Sequence, residues 1–192
     1  MNDKQLLGAI AIGLTIVAYF PYISSIIQNK TRPHVFSWVI WGTSTCIVFL
    51  AQLADEGGAG AWVIGFSGII SIYVAYLAYI KKSDSSITRI DWIFFIVAMT
   101  SLPLWYLTSD PLWAVVILTT VDVLGFVPTF RRSYLNPFED QLKFYVVMAV
   151  RNIVVVFALQ NYSLTTVLFP ATIAVMCLMF SLMVVYRRRV RA

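Results

Sequence analysis

Apolar residues run through this chain in long blocks, and the polar residues gather in the breaks between them. Seven blocks lie near 5–27, 35–54, 61–80, 91–108, 111–130, 142–160 and 164–186. A helix rising about 1.5 Å per residue needs about 20 apolar residues to cross a hydrocarbon core of roughly 30 Å. The pattern therefore predicts seven transmembrane helices with short connections, an all-α integral membrane fold. Pro33 and Pro137 mark the approaches to the second and sixth helices, and Glu56 to Gly60 reads as a flexible turn. The first block is too long for a signal peptide and has no small-residue cleavage site before the next polar loop, so it is expected to be retained.

The blocks repeat. Pro21 in Ala18-Tyr-Phe-Pro-Tyr-Ile and Pro128 in Gly125-Phe-Val-Pro-Thr-Phe are 107 residues apart. At nearly the same offset Asp3 is echoed by Asp110, Phe49-Leu-Ala-Gln52 by Phe157-Ala-Leu-Gln160, and Tyr79-Ile-Lys-Lys82 by Tyr186-Arg-Arg-Arg189. Two three-helix units, residues 1–82 and 109–192, are expected, with residues 83–108 carrying one extra helix between them. That helix reverses the chain once more, so the units are parallel bundles in a 3+1+3 plan with a cavity between them.

Composition supports the bilayer: 60% of the 192 residues are hydrophobic and 12% charged, with a mean hydropathy of +0.82. The net charge of +5 is sorted by loop rather than gathered on one soluble face, so no nucleic-acid partner is expected. If seven helices alternate, Lys30, Arg32, Lys81, Lys82, Arg89, Arg131, Arg132, Lys143 and the four arginines from Arg187 to Arg191 share one side. Lys4, Asp55, Glu56 and Asp110 fall on the other. The positive-inside rule then places the N-terminus outside and the C-terminus in the cytoplasm, with the plasma (inner) membrane as the expected location. The basic tail reads as a lipid-surface anchor, and Cys46 and Cys177 as free thiols within apolar helices.

The stretch from Phe20-Pro21-Tyr-Ile through Lys30, Pro33 and Ser37 to Trp38 and Trp41 resembles the first repeat of the SWEET and PQ-loop (MtN3-like) transporter superfamily. The resemblance spans nearly the whole chain through the duplicated plan. It implies alternating access, with Pro21 and Pro128 as hinges, and a sugar as the solute. The glutamine that names the PQ motif is Tyr22 in one repeat and Thr129 in the other, and neither 65–71 nor 165–172 carries the asparagine that sugar carriers present.

Two ionisable residues lie inside the blocks, Asp122 in the fifth helix and Arg151 in the sixth, and such residues usually mark transport paths. Asp122 lies nine residues before Arg131 and Arg151 nine residues after Leu142, which puts both about 13 Å from one interface. Antiparallel neighbours at that depth are expected to meet. Their counterparts in the first repeat are Thr15 and Thr43, with Ser44 opposite Asn152. Asp122 is expected to bind a proton or a substrate cation, Arg151 a substrate anion, and Asn152 to give a fixed polar contact. The alternative is a permanent ion pair. Tyr19, Trp41, Thr43, Ser44, Ser67 and Ser71 are candidates for the opposite wall, of which Tyr19, Trp41 and Ser44 complete the expected substrate site. His34 is expected to be a solvated turn residue. No metal or catalytic constellation appears, so neither an enzyme nor a cofactor is expected.

These features point to a secondary transporter of a small polar solute. An amino acid or a vitamin-like compound is the alternative solute, matched by opposite charges on Asp122 and Arg151. A non-transporting ligand or sorting receptor is the alternative class. A retinal photoreceptor is set aside because the last helix has no buried lysine. A seven-helix chain can form its pathway alone, and a homo-oligomer is compatible with it.

Overall fold

Each apolar block forms one helix in the computed structural model, which describes residues 2–30, 33, 35–81, 89–135, 137–138 and 142–191. The helices are α1 (Asp3–Ile27), α2 (Val35–Ala54), α3 (Gly58–Ile80), α4 (Arg89–Thr108), α5 (Pro111–Leu135), α6 (Leu142–Ala158) and α7 (Leu164–Arg191). His34 lies outside the described residues, as do the side chains of residues 91, 127–129, 131 and 132, among them Pro128.

Local chemistry sets the helix ends. Asp110 Oδ1 accepts from the Leu112 amide at 2.9 Å, and Pro111 follows it at the first helical position of α5, where a missing N–H costs nothing. The carboxyl end of α1 closes with Asn29 in the left-handed region at φ 57°, so that the Lys30 amide reaches the Ser25 carbonyl at 2.9 Å. The end of α2 closes the same way, with Glu56 at φ 55° and the Gly57 amide on the Gln52 carbonyl at 2.7 Å. The glycine run that reads as a loop is helical from Gly58 onward. Gly58 keeps the turn, at φ 60° in the left-handed region, while Gly60 serves close approach: a Cβ there would stand 2.7 Å from Leu159 Cδ2 and 3.0 Å from the Leu159 nitrogen.

Among the described residues four helices, α1, α2, α3 and α7, are long and apolar enough to cross a membrane. Shorter apolar stretches occupy α4 from Trp92 to Thr108 and α5 from Pro111 to Phe126. The surface is apolar where a soluble protein would be polar: Val17, Phe20, Trp62, Ile69, Tyr76, Leu107 and Leu182 all project outward. Thr15, Ser44, Gln52, Ser71, Asp122, Arg151 and Asn152 are buried. This distribution suits an all-α protein inserted in a bilayer.

Side-chain contacts fix the directions of the helices. Lys81 Nζ donates to the Ile27 carbonyl at 3.1 Å, joining the carboxyl ends of α3 and α1. Arg187 Nε donates to the Tyr134 carbonyl at 3.1 Å and Arg188 Nε to that of Pro137 at 2.8 Å, joining the end of α7 to the end of α5 and the turn after it. These contacts define a basic end, where cations meet the negative ends of helix dipoles. At the opposite, acidic end Lys4 Nζ donates to the last-turn carbonyl of Phe157 in α6 at 2.7 Å and to Tyr162 Oη at 2.5 Å. Consequently α1, α3, α5 and α7 do not all point one way with α2 and α6: the latter two run back toward the acidic end.

The neighbours are not those of sequence order. Among the described residues α3 packs against both α1 and α2, and α7 against both α5 and α6, whereas the backbones of α1 and α2, and of α5 and α6, stay apart and meet through aromatic side chains. Between the two groups α1 packs on α6 and α2 on α5, and α4 lies along α5 and α2.

Candidate functional site

Arg151 is the largest fully buried side chain, 2% exposed, and it is held by three acceptors from three helices. Nε donates to Thr15 Oγ1 of α1 at 3.1 Å, Nη2 to the Val63 carbonyl of α3 at 2.9 Å, and Nη1 to Asn152 Oδ1 at 2.8 Å. Each partner is held in turn. Thr15 Oγ1 donates to the Ala11 carbonyl at 2.8 Å, and Asn152 Nδ2 to that of Met148 at 2.8 Å. The planar guanidinium thus ties α6 to α1 and α3, a geometry that a flexible ammonium cannot reproduce.

Asp122 has no such shell. It is 6% exposed, and its Oδ1 has no hydrogen-bond partner. The expected Asp122–Arg151 pair does not form among the described residues. The reason is topological: α7 lies between α5 and α6, so equal depth in consecutive helices does not make them neighbours.

Near Asp122, α5 packs on α2. A Cβ at Gly125, one turn further along α5, would stand 3.1 Å from Trp41 Nε1 of α2. Residues three apart share a helix face, so Asp122 lies about 4.5 Å from Gly125 toward the acidic end. Ser44, three residues after Trp41 on the antiparallel helix, lies at the same level, fully buried and with Oγ unpartnered. Ser44 and Asp122 therefore lie at one level on two helices packed on each other, α2 and α5. Arg151 and Asn152 belong to another interface, α6 on α1 and α3.

Tyr19 and Trp41 sit nearer the basic end. Ser71 Oγ commits its proton to the Ser67 carbonyl at 3.0 Å, so Tyr19 Oη donates to Ser71 Oγ at 3.1 Å, binding α1 to α3. The rings form a continuous chain. Tyr19 meets Trp38 and Phe144, Tyr22 meets the same two, Trp38 meets Trp41, and Phe144 leads through Tyr145 to Phe180 of α7. Phe126 of α5 joins at Tyr145 with centroids 6.5 Å apart. Aromatic residues from α1, α2, α5, α6 and α7 thus fill the bundle on its basic half. Pro21 lies exposed inside α1, and Pro128 falls within the range of α5.

The acidic end is closed by polar contacts. Ser163 Oγ donates to Asp55 Oδ2, Asn161 Nδ2 to the Asp55 carbonyl at 3.0 Å, and the Gln160 amide to the Gly57 carbonyl at 3.2 Å. Behind this latch, Gln52 Nε2 donates to the Thr166 carbonyl at 2.8 Å. That carbonyl would normally receive the amide of residue 170, which is Pro170 and has none. Sequence reading singled out neither Pro170 nor Thr119, although a proline inside an apolar helix and a threonine one turn before an aspartate were both visible.

A cavity of about 400 Å³ is lined by Leu102, Trp105, Tyr106 and Ser109, none of them an expected site residue. Among the described residues no group of His, Cys, Asp and Glu side chains could hold a metal ion. No family model, curated protein or solved structure matches this chain.

Proposed function

We propose that this chain is a secondary transporter of a small polar solute, a sugar by its resemblance to SWEET and PQ-loop transporters. In this reading residues 1–82 and 109–192 form two parallel three-helix bundles joined by the linker helix α4. The packing supports the plan. Shifting residue numbers by 107 turns α1, α2 and α3 into α5, α6 and α7, and each triplet has its third helix in the middle. The same shift turns the α1 contact with α6 into that of α5 with α2. Lys81 on Ile27 becomes Arg188 on Tyr134, one residue from the observed Arg187 bond. The N-terminus and the acidic end then face outward, and the basic end lies in the cytoplasm.

The observation that carries a transport reading is Asp122, a carboxylate in the interior with an unpartnered oxygen, between the two halves. A charged group there is costly unless it meets a ligand, and its position allows relative motion of the halves to open it to either side. The aromatic chain then closes the cytoplasmic half, the Asp55–Ser163 latch the outer end, and Pro21 and Pro128 supply flexion. Asp122, Ser44, Tyr19 and Trp41 face the solute in this reading. Arg151 and Asn152 hold the adjoining helices in register, and with its donors engaged Arg151 favours a neutral solute over an amino acid.

Counterflow exchange in proteoliposomes with labelled sugars, amino acids and vitamins at two pH values tests this reading. Exchange of one solute class, reduced and made pH-insensitive by Asp122→Asn, is expected. Tight binding of a solute without exchange would instead mark a receptor, which the static Arg151 network would equally serve.

A further inference from the structure

Among the described residues four buried side-chain atoms lack a hydrogen-bond partner: Ser44 Oγ, Gln52 Oε1, Thr119 Oγ1 and Asp122 Oδ1. All four are oxygens, and all lie on α2 or α5. Hydroxyls elsewhere in these helices turn back to a carbonyl three or four residues earlier, as Thr15, Ser71, Ser101, Thr120 and Ser181 do. Ser44 and Thr119 do not, although Thr120 beside Thr119 does, so their hydroxyls are held free of the local alternative.

Thr119 is one turn from Asp122 on the same face of α5, and the contact of Trp41 with Gly125 sets Ser44 level with Asp122. One carboxylate and two hydroxyl oxygens therefore lie within about one helical turn of depth on two packed helices, with Gln52 Oε1 two turns further toward the acidic end. Buried oxygens without donors are expensive, and an apolar pair of helices would avoid them. Three such oxygens suit a hard cation, and since the buried Arg151 already places one positive charge in the interior, an ion of single charge adds the least further cost. A proton on Asp122 could be donated to only one of the two hydroxyl oxygens, whereas one hard cation can take all three.

We infer that Ser44, Thr119 and Asp122 form a binding site for a monovalent alkali cation between α2 and α5. The role of this ion in coupling rests on the transporter reading, while its binding does not.

The test is thermal unfolding of the purified full chain in detergent, in sodium, potassium and choline chloride at equal ionic strength. Sodium is expected to raise Tm by about 3 °C or more at about 200 mM relative to choline. Asp122→Asn should abolish the response, and Ser44→Ala and Thr119→Val should each raise the half-saturating sodium concentration about tenfold. Both hydroxyl deletions remove an unpartnered polar atom, so both variants should fold. Equal Tm in the three salts overturns the site, as does a full sodium response in Ser44→Ala and Thr119→Val. Counterflow in sodium-free buffer separates the two readings. Undiminished exchange there with no thermal shift removes the site and leaves the transporter, whereas a sodium shift without exchange of any solute supports the site and removes the transporter.

Discussion

Arg151 and Asp122 were both legible as exceptional residues, because a charge inside an apolar block is conspicuous, and their common depth could be counted from the ends of their helices. Their partners could not, since those depend on which helices touch. The guanidinium found three neutral acceptors, and Asp122 Oδ1 found no donor. Arg151→Lys keeps the charge but cannot span Thr15, Val63 and Asn152 together. It is expected to lose about 2 kcal/mol of stability. Arg151→Met leaves Asn152 Oδ1 unpartnered and should lose about 1–3 kcal/mol. Unfolding in detergent, with exchange measured per folded molecule, checks both: folded protein should still exchange solute. Normal stability with abolished exchange would return Arg151 to the solute.

At the scale of elements, the helix spans followed from the apolar blocks to within a few residues, because polar and helix-ending residues gather in the breaks between the blocks. The glycine run at 57–60 misled the reading, since a glycine kept for helix contact and one kept for a turn look alike in sequence. Gly60→Ala pushes a methyl against the backbone of Leu159 and is expected to cost about 1–3 kcal/mol, while Gly13→Ala, with nothing within 4 Å of the new Cβ, should be neutral or slightly stabilising. Thermal unfolding of the two variants distinguishes packing from propensity. The Gln52 bond to Thr166 makes a sharper case, because it replaces a donor that Pro170 lacks. Gln52→Leu should destabilise the protein by about 1–2 kcal/mol. Pro170→Ala restores a backbone donor and should remove most of that loss in the double variant, a coupling that a double-mutant cycle measures directly.

For the molecule as a whole, the proposed repeat rests on a handful of echoes in the sequence, whereas which helices pack side by side could not be read there. Loop lengths permit either consecutive neighbours or an inserted third helix, and side-chain packing decides between them. In the proposed mechanism the outer latch must part for each cycle. A double variant, Asp55→Cys with Ser163→Cys, made in a background where Cys46 and Cys177 are replaced by alanine, should cross-link under oxidation and stop counterflow exchange. Reduction should restore it. Exchange that continues at full rate through the oxidised cross-link would show that the acidic end does not gate.

The latch has a further meaning for how such a chain arises. Asp55 and Ser163 are 108 residues apart, one repeat, and yet they bond each other. Equivalent positions meet only where a two-fold axis passes. A dimer of two identical first halves would set carboxylate against carboxylate at that point, and a dimer of second halves hydroxyl against hydroxyl. In the proposed two-repeat plan, acid on one half and donor on the other require two sequences that have diverged, so this contact would be younger than the duplication.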